Sequence, residues 1–583
     1  MSKLLFNKNR RKSSINFINF HRFHFLDRSR ESRRRINHPP AAHYSVLGEK
    51  LRMNTPAALQ CALFCGGARC QYEQPQHRAA IQGLYSDWIT DEILAMARPS
   101  TAGIAARNII QQFHSWGIRT VINLQMPGEH ASCGPPLTRS GFTYDPVVFM
   151  ANDIYYYNFA WPDYGEASLS GLLDMAKVVS FALQEGRVAI HCHAGLGRTG
   201  VLIACYLVYA LRVRANDAIR LVRRRRPRSV QTSGQILCVQ QFEHYLLPQT
   251  VVFSSKEPLM LTNDKKTAEF TLRQYLYRQR ATLHGLEERA FKQLPMIVYC
   301  LCERLLKLCG CHRSAGLDFR VRNRPFYKGF LSYRLKQDKP PGPITPEEQP
   351  SSAGPPLLTV EWRDPVEENI ERQLESVSRI TGACADADGS LTALAVYEAF
   401  VVDHHSFPDD RQKYLKQMRT DINQKREAMG KIEKEEDPAV LTGLLFEWLE
   451  GLKQPVLDRD DLSAIVGRAQ DVEACVSALP MEDAILLEYL LRFVTRLRPI
   501  AAGKKVEILR RLLASLTHQT AMISGRCLPT RRDFPRLREG TCTQATNFML
   551  RTIVEIQRDM LAPGRDDADV VVPPRRLKIK AWK

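Results

Sequence analysis

The stretch of this sequence that most constrains the fold is residues 188–200, VAIHCHAGLGRTG. An apolar, strand-like run ends in Cys192, a glycine-rich loop follows at once, and an apolar helical pattern begins near Thr199. Glycines in such a loop let successive N–H groups point inward, and the N-terminus of the helix adds partial positive charge. The stretch therefore predicts an anion-binding cradle at the end of a strand, of a size that suits a phosphate.

The cradle carries side chains that suit chemistry on a phosphate. Loop amides, the helix dipole and Arg198 all favour the thiolate form of Cys192, which makes it the candidate nucleophile. The guanidinium of Arg198 can grip two phosphate oxygens in a fork that lysine cannot reproduce. Thr199 is expected to donate its hydroxyl to the sulfur, and His191 to orient the loop. The expected phosphate-binding residues are His193, Ala194, Gly195, Leu196, Gly197 and Arg198.

A nucleophilic reaction at phosphorus also needs a proton for the leaving oxygen, normally from a carboxylic acid on a loop. Residues 161–165, WPDYG, supply Asp163 directly after a strand-like run and ahead of the cradle. An aspartate after a proline is usually a turn residue. Its position before this loop favours the catalytic interpretation.

Together, HCxxGxxRTG and the Trp-Pro-Asp segment resemble the signatures of the cysteine-based protein tyrosine phosphatase superfamily, in its atypical dual-specificity branch. The resemblance implies an α/β fold with a central mixed sheet flanked by helices. It also implies hydrolysis of phosphotyrosine, with phosphoserine and phosphothreonine as further substrates, through a cysteinyl-phosphate intermediate. Asp163 would then act first as acid and later as base, and no metal or other cofactor is expected.

Three neighbouring features leave alternatives open. Gln231 or Gln235 would position the attacking water, or else belong to a plain helix cap. The arginines of residues 223–226, with Arg228, would extend positive potential around the mouth of the site, or else form a basic helix end matched to the dipole. Glu129, in the MPGEH turn, is a candidate brace for Arg198.

The chain of 583 residues is too long for one core and divides by pattern. Strand-like and helical runs alternate over residues 84–247, which predicts an α/β domain. Seven of the nineteen residues from 338 to 356 are proline, as in a linker. The predicted divisions are a basic tail (1–45), a phosphatase-type domain (46–252), a helical extension (253–330), a proline-rich linker (331–360), a mostly α-helical C-terminal domain (361–562) and a basic tail (563–583).

The formal net charge of +20 points to anionic partners, and much of it lies in the first 40 residues. That tail reads as a solvated segment, a transit peptide or a mis-assigned start. A phosphorylated protein is the expected substrate, an unknown protein the expected partner of the helical half, and nucleic acid is disfavoured as a partner. With no membrane span or secretory signal in the sequence, a cytoplasmic location is expected, with the nucleus as an alternative.

Fifteen cysteines, irregularly spaced, suggest free thiols rather than a disulfide scaffold. Two groups invite a test for zinc, and neither has paired CxxC motifs. The groups are Cys61, Cys65, Cys70 with His77, and Cys300, Cys302, Cys309, Cys311 with His312. In both, thiols that simply pack are the favoured interpretation, so no metal site is expected.

Two other classes of function compete with a protein phosphatase. One is a scaffold that binds phosphoproteins and works through its helical half. The other keeps the cysteine chemistry but acts on a phosphoinositide or on the 5′ end of RNA, which the basic charge favours.

Overall fold

The structure is a computed structural model that describes residues 40–73, 79–163, 167–254, 270–311, 392–424 and 429–561. These residues form two compact units. The first is drawn from Met1–Glu269, Arg273–Lys292 and Lys416–Lys434, and the second from Phe270–Leu272, Gln293–Leu415 and Glu435–Lys583. Nearly all of the predicted basic tail 1–45, the proline-rich linker 331–360 and the tail 563–583 lie outside the described residues.

A five-stranded mixed sheet forms the centre of the first unit, with strand order β1-β2-β5-β3-β4. Strand β1 is antiparallel to β2, and the other neighbouring pairs are parallel. The strands are β1 (Ser86–Trp88), β2 (Ile93–Met96), β3 (Ile118–Asn123), β4 (Tyr155–Asn158) and β5 (Arg187–His191). Because parallel strands end at one edge of a sheet, the segments that follow β2, β3, β4 and β5 meet there.

Helices cover both faces of this sheet, as predicted for an α/β layer. Side chains of successive strand residues point to opposite faces. Accordingly, Val188 and Ile190 pack with the helices of one side, whereas Ala189 packs with those of the other. The helices of the unit up to residue 290 are α1 (Val46–Asn54), α2 (Ala57–Gln60), α3 (Thr101–Ala106), α4 (Ile109–Ser115), α5 (Val147–Met150), α6 (Leu169–Glu185), α7 (Arg198–Leu211), α8 (Ala215–Arg225), α9 (Ser233–Leu246), α10 (Leu272–Thr282) and α11 (Gly285–Ala290).

Helix α7 is the central helix of this layer, because nearly every residue from Arg198 to Ala210 is buried. It packs against α6, α8 and α9, with apolar side chains in contact on all sides. A helix that is apolar all round has to lie inside the fold. Burial of α7 therefore fixes the position of the loop that precedes it.

The second unit is mostly helical, in agreement with the sequence prediction. An antiparallel ribbon of two short strands interrupts the helical pattern, because Gly525, at φ +76°, allows the tight turn between them. The remaining elements in chain order are α12 (Met296–Leu308), α13 (Ala393–Val401), α14 (Asp409–Gln424), α15 (Met429–Lys434), α16 (Pro438–Leu449), α17 (Arg459–Gly467), α18 (Val472–Ala478), α19 (Met481–Arg496), α20 (Ala502–Thr517), β6 (Ala521–Ile523), β7 (Arg526–Leu528) and α21 (Glu539–Leu561). Of these elements, α15 and the end of α14 belong to the first unit, and the others belong to the second. None of the helices in the described part of the chain combines the length and the apolarity that crossing a membrane requires.

A buried ionic cluster lies within the second unit. Glu450 accepts hydrogen bonds from Arg511 (3.0 Å) and Ser515 (2.8 Å), and its second oxygen lies 3.2 Å from Nε2 of His405. The side chains of Glu450 and Arg511 are 1% and 0% exposed. Burial opposes ionisation of Glu450, but Arg511 and His405 outweigh it and hold the pKa of this carboxyl well below its usual range. Glu450 is therefore ionised and paired with Arg511 at neutral pH.

We expect Glu450→Gln to lower the free energy of unfolding by about 3 kcal/mol at pH 7, because the substitution leaves the Arg511 charge buried without its counterion. The pKa of Glu450 is depressed by folding, so its contribution is present above about pH 4.5, the ordinary value, and is lost as the pH falls toward the folded value. The difference in the free energy of unfolding between Glu450→Gln and the parent should therefore become smaller in acid. Urea unfolding of the full chain, with hydrogen exchange in α20 as the local readout, measures it.

Glu539→Gln is the matched control, because the Glu539 side chain is 58% exposed in its pair with Arg510. Exposed pairs are worth about 0–1 kcal/mol, so this variant should unfold like the parent. Equal stability of the Glu450 variant and this control at pH 7 would contradict the prediction.

Candidate active site

The loop after β5 lies at the edge where the parallel strands end. It runs from Cys192 to Gly197, and α7 begins at Arg198 with no side-chain cap on its first N–H groups. Gly195 adopts φ +66°, and a Cβ at this position would lie 1.9 Å from the carbonyl oxygen of Met96. Only glycine fits there, so the close approach of the loop to the end of β2 depends on this residue.

Gly195→Ala is expected to lower the stability of the first unit by about 2–3 kcal/mol, since the new Cβ meets backbone in a strained conformation. Urea unfolding of the full chain is the measurement. Gly234→Ala is the control, because a Cβ there would find its nearest neighbour at 3.9 Å and φ is ordinary. Equal unfolding midpoints for the two variants would show that the loop does not need glycine at position 195.

Cys192 is 4% exposed and is the first residue of the loop, directly after β5. At the other end of the loop, two hydrogen-bond donors, Nε of Arg198 and the hydroxyl of Thr199, are buried without a hydrogen-bond partner among the described residues. Buried donors are nearly always paired, and an unpaired one calls for an explanation. Both lie in the first turn of α7, where the cradle predicted from sequence would hold an anion.

The rest of the Arg198 guanidinium is held from several sides. It forms a two-pronged pair with Glu129, at 2.9 Å and 2.6 Å, and donates to the carbonyl oxygens of Trp161 and Leu124. The hypothesis that Glu129 braces Arg198 is thus confirmed. Burial opposes the positive charge, but nearby negative groups outweigh it and hold the pKa of Arg198 above its ordinary value. The side chain is 1% exposed, so its charge acts in a poorly screened setting.

Asp163 reaches the same place from the segment after β4. One carboxylate oxygen lies 3.2 Å from Nη2 of Arg198, and the other lies 3.1 Å from Nε2 of His130. Burial raises the pKa of Asp163, but Arg198 and His130 outweigh it and hold that pKa well below its usual range. Asp163 is therefore ionised in this arrangement. Residues 164–166, which include the end of the predicted WPDYG loop, lie outside the described residues.

His191 is fully buried below the loop. Its Nδ1 lies 3.0 Å from the carbonyl oxygen of Cys192, and its Nε2 lies 2.7 Å from the hydroxyl of Tyr144. Burial lowers the pKa of His191 to about 4. A neutral imidazole that donates to Cys192 and accepts from Tyr144 satisfies both contacts. The orienting role predicted for His191 is consistent with these bonds.

Comparisons with known proteins agree with this geometry. The family described as "Dual specificity phosphatase, catalytic domain" matches residues 110–244. Residues 110–244 are therefore similar to a dual-specificity phosphatase catalytic domain. Protein tyrosine phosphatase domain-containing protein 1 of Danio rerio is 55% identical over 274 residues, which cover 46% of this chain and 37% of that protein. The Bos taurus protein of the same name is 53% identical over 281 residues, covering 47% of this chain and 34% of that protein.

A more distant relative of the phosphatase domain is dual specificity protein phosphatase CDC14C of Symphalangus syndactylus, 35% identical over 118 residues, which cover 20% of this chain and 21% of that protein. The membership of the superfamily that the sequence motifs imply is confirmed. The chain spans about a third of the length of the two protein tyrosine phosphatase domain-containing relatives.

The two glutamines predicted downstream both face the loop of the phosphatase domain. A Cβ on Gly197 would lie 2.8 Å from Nε2 of Gln235 and 3.2 Å from Oε1 of Gln231. Oε1 of Gln235 accepts from the backbone N–H of Gln231, and the cap of α9 is the side chain of Thr232. Gln231 also donates to the hydroxyl of Tyr44, which the sequence analysis did not identify. Gln235 thus belongs to the cap of α9, because its backbone N–H donates to Thr232 and its side chain accepts from the N–H of Gln231; the helix-cap alternative holds for Gln235, and the water-positioning role stays a prediction.

The hypothesis that residues 223–226 extend positive potential around the site is wrong for Arg226. This side chain is completely buried, and it donates to the carbonyl oxygens of Gly195 (2.7 Å) and Ala194 (2.9 Å) and to Asp87 (2.6 Å). Arg226 therefore supports the loop of residues 192–197 through its backbone carbonyls. Arg224, Arg225 and Arg228 are exposed, so the hypothesis stays open for them.

The other residues of the loop after β5 take part in hydrogen bonds mainly through their backbone groups. Arg98 donates its N–H to the carbonyl of His193, and Val230 donates to that of Leu196, which is 1% exposed. The imidazole of His193 stacks on His130, with ring centroids 3.9 Å apart. Burial lowers the pKa of His193 well below its ordinary value, so the ring is neutral.

The two cysteine groups considered from sequence have different surroundings in the structure. Cys61, Cys65 and Cys70 form a buried cluster with Cys133, a residue that the sequence analysis did not connect with them. In the second group, Cys302 is a buried residue of α12, as expected for a thiol that only contributes to core packing. His77 and His312, the histidines proposed from sequence for the two groups, both lie outside the described residues.

Proposed function

We propose that this chain hydrolyses phosphate monoesters on proteins, on phosphotyrosine and also on phosphoserine and phosphothreonine, through a cysteinyl-phosphate intermediate. One observation carries the proposal: a buried cysteine begins a glycine loop, and the first turn of α7 at the end of that loop has two buried donors with no hydrogen-bond partner among the described residues, Nε of Arg198 and the hydroxyl of Thr199. A phosphate bound in the loop would satisfy the arginine, and the thiolate would satisfy the threonine.

In the first step, the sulfur of Cys192 attacks phosphorus, the S–P bond forms and the bond to the leaving oxygen breaks. Asp163 gives its proton to that oxygen. In the structure without substrate, the Asp163 carboxylate pairs with Arg198, so an incoming phosphate competes with it for the guanidinium. A nearby negative charge favours the protonated form of a carboxyl, which prepares Asp163 to act as the acid.

In the second step, a water molecule attacks phosphorus and the S–P bond breaks. Asp163, now a carboxylate, takes the proton of the water, and inorganic phosphate and the thiolate of Cys192 are released. Gln231 and Gln235 lie against Gly197 and are the side chains that would orient this water. Arg198 binds the equatorial oxygens most strongly when charge builds up on them, which lowers the barrier of both steps.

The loop favours a protein over an inositol lipid as substrate. Binding of ring phosphates needs positive charge on the loop side chains, whereas Leu196 is apolar and buried and the imidazole of His193 is neutral, buried and stacked on His130. The relatives described above, a protein tyrosine phosphatase domain-containing protein and a dual specificity protein phosphatase, support the same choice.

The test is a side-by-side rate measurement with the purified full chain. The panel contains peptides with phosphotyrosine, phosphoserine and phosphothreonine, a phosphoinositide vesicle and a 5′-triphosphorylated RNA. We expect vanadate-sensitive release of phosphate from the peptides, fastest from phosphotyrosine. Faster release from the lipid or the RNA, or no release from any substrate, would contradict the proposal.

Asp163→Ala is expected to lower kcat for a phosphotyrosine peptide by about 10²-fold, the lower end of what a general acid contributes. Vanadate should bind at least as tightly as to the parent, because Arg198 loses an internal competitor. Stopped assays and vanadate titration measure the two effects. Asp174→Ala, at a side chain 75% exposed on α6, is the control and should leave both unchanged. An unchanged kcat in Asp163→Ala would remove the residue from the mechanism.

A further inference from the structure

Four thiols and two imidazoles converge beside the active site, from three separate parts of the phosphatase domain. Cys61, Cys65 and Cys70 come from the segment after α2, His130 and Cys133 from the segment after β3, and His193 from the phosphate-binding loop. Sγ of Cys61 lies 3.4 Å from Nδ1 of His130. Nε2 of His193 lies 3.5 Å from Sγ of Cys70 and 3.4 Å from Sγ of Cys133.

Within this group, four donor atoms have the spacing of a metal site. The ligand atoms of Cys65, His130, Cys133 and His193 all lie within 4.8 Å of one another. Around a tetrahedral zinc ion with bonds of about 2.0–2.3 Å, ligand atoms lie about 3.3–3.8 Å apart, so a small contraction would complete the shell. Cys65, Cys133 and His193 are buried, and the His130 side chain is 8% exposed.

We propose that Cys65, His130, Cys133 and His193 bind one Zn²⁺ ion in a tetrahedral site. Two thiolates and two neutral imidazoles are ligands that zinc prefers, whereas Mg²⁺ and Ca²⁺ take oxygen ligands. The two thiolate charges balance the ion, so the buried site carries no net charge. This site lies outside the expectation from sequence, which included no metal.

The site would also position two parts of the catalytic machinery. His130 faces the thiols with Nδ1 and faces Asp163 with Nε2, at 3.1 Å. Such a carboxylate–histidine–metal arrangement fixes the orientation of both side chains. His193 follows Cys192 directly, so its imidazole would tie the phosphate-binding loop to the same ion. The ion has a positioning role here and touches no reacting atom.

The decisive experiment measures zinc in the full chain, purified without chelator from zinc-supplemented cells, by elemental mass spectrometry. We expect about one zinc per chain after extensive dialysis. Cys133→Ser and Cys65→Ser should each lower the content at least about tenfold, whereas Cys238→Ser, in the same domain but outside the cluster, should retain it. Zinc that washes out of the parent, an adventitious ion only, would overturn the proposal.

Two further measurements keep the proposal testable if a variant does not fold. The metal-stripped parent should bind one Co²⁺ with the thiolate charge-transfer and tetrahedral d–d bands of a site with two sulfur ligands, and absence of these bands would overturn it. Asp163→Asn should weaken Co²⁺ binding by about 10-fold, the lower end for the loss of a group bonded to a ligand. An unchanged affinity would overturn the link between the ion and Asp163.

The alternative use of this thiol cluster is a disulfide, and thiol mapping separates the two. Alkylation of the native and the metal-stripped chain, followed by peptide mass analysis, should find Cys65 and Cys133 reduced in both and reactive only after stripping. A Cys65–Cys133 disulfide in zinc-free purified protein would overturn the metal site. All of these readouts are independent of turnover, so failure of the metal site and failure of the proposed phosphatase activity are distinguishable.

Discussion

Replacement of Cys192 by serine is expected to lower the turnover of a phosphotyrosine peptide by at least about 10⁴-fold, the scale on which enzymes lose rate with their nucleophile. A serine hydroxyl stays protonated under the conditions that favour a thiolate, and no general base is expected to activate it. The loop, Arg198 and Asp163 all remain, so the variant should still bind vanadate and phosphopeptide. Initial rates and a direct binding titration measure the two effects.

Cys238→Ser serves as the control for this prediction. Cys238 is a half-buried thiol on α9 in the same unit, and it lies outside the loop. This variant should keep the rate of the parent within about twofold, since a conservative change away from the site alters neither charge nor packing much. A Cys192→Ser chain that turns over substrate as fast as the control would show that the sulfur is not the nucleophile.

The segments of the active site were predictable from sequence because each has a local signature. An apolar strand before Cys192, a glycine loop and an apolar helical pattern together favour a strand, a tight loop and a buried helix, which the structure has. Asp163 could be proposed as the acid because the chemistry proposed for this loop requires a proton donor on a second loop. The alternation of strands and helices along the chain also predicts an α/β domain around these segments, and the structure confirms that fold.

The supports of the site were harder to predict, because they depend on which strand ends are neighbours. Arg226 reaches the loop carbonyls from a position 31 residues downstream of Gly195, and nothing in its arginine-rich context distinguishes it from its exposed neighbours. For a similar reason, Glu129 could be named from sequence only as a candidate partner of Arg198. One signal was available: in a parallel sheet, the turn after β3 must lie beside the loop after β5, so the polar residues of that turn were candidates.

The thiol cluster shows the same limit more clearly. Spacing along the chain connects Cys61, Cys65 and Cys70, but Cys133 lies 63 residues beyond Cys70 and joins them only through the fold. The histidine that sequence spacing suggested, His77, was chosen by proximity alone. The two that converge on the thiols come from segments already assigned to other tasks, the turn after β3 and the phosphate-binding loop.

Arg198→Lys is expected to lower kcat/KM for a phosphotyrosine peptide by about 10³-fold, as for loss of a well-placed group that stabilises transition-state charge. The substitution keeps the positive charge, so the loss would come from geometry. Arg198 donates to Glu129 with two nitrogens, and its Nε is buried without a partner among the described residues. A lysine ammonium is a single point of charge, and it cannot hold Glu129 and a phosphate at the same time.

Two measurements separate this explanation from a simple loss of fold. Arg220→Lys, at a partly exposed pair with Asp217 on α8, should leave kcat/KM unchanged. Vanadate should bind Arg198→Lys at least tenfold more weakly than it binds Cys192→Ser. The reason is that the two-pronged guanidinium binds the oxygens of the anion, whereas the sulfur is needed for the attack on phosphorus. If Arg198→Lys retains kcat/KM within tenfold, charge alone is enough in this loop, and the pairing with Glu129 serves the fold rather than the reaction.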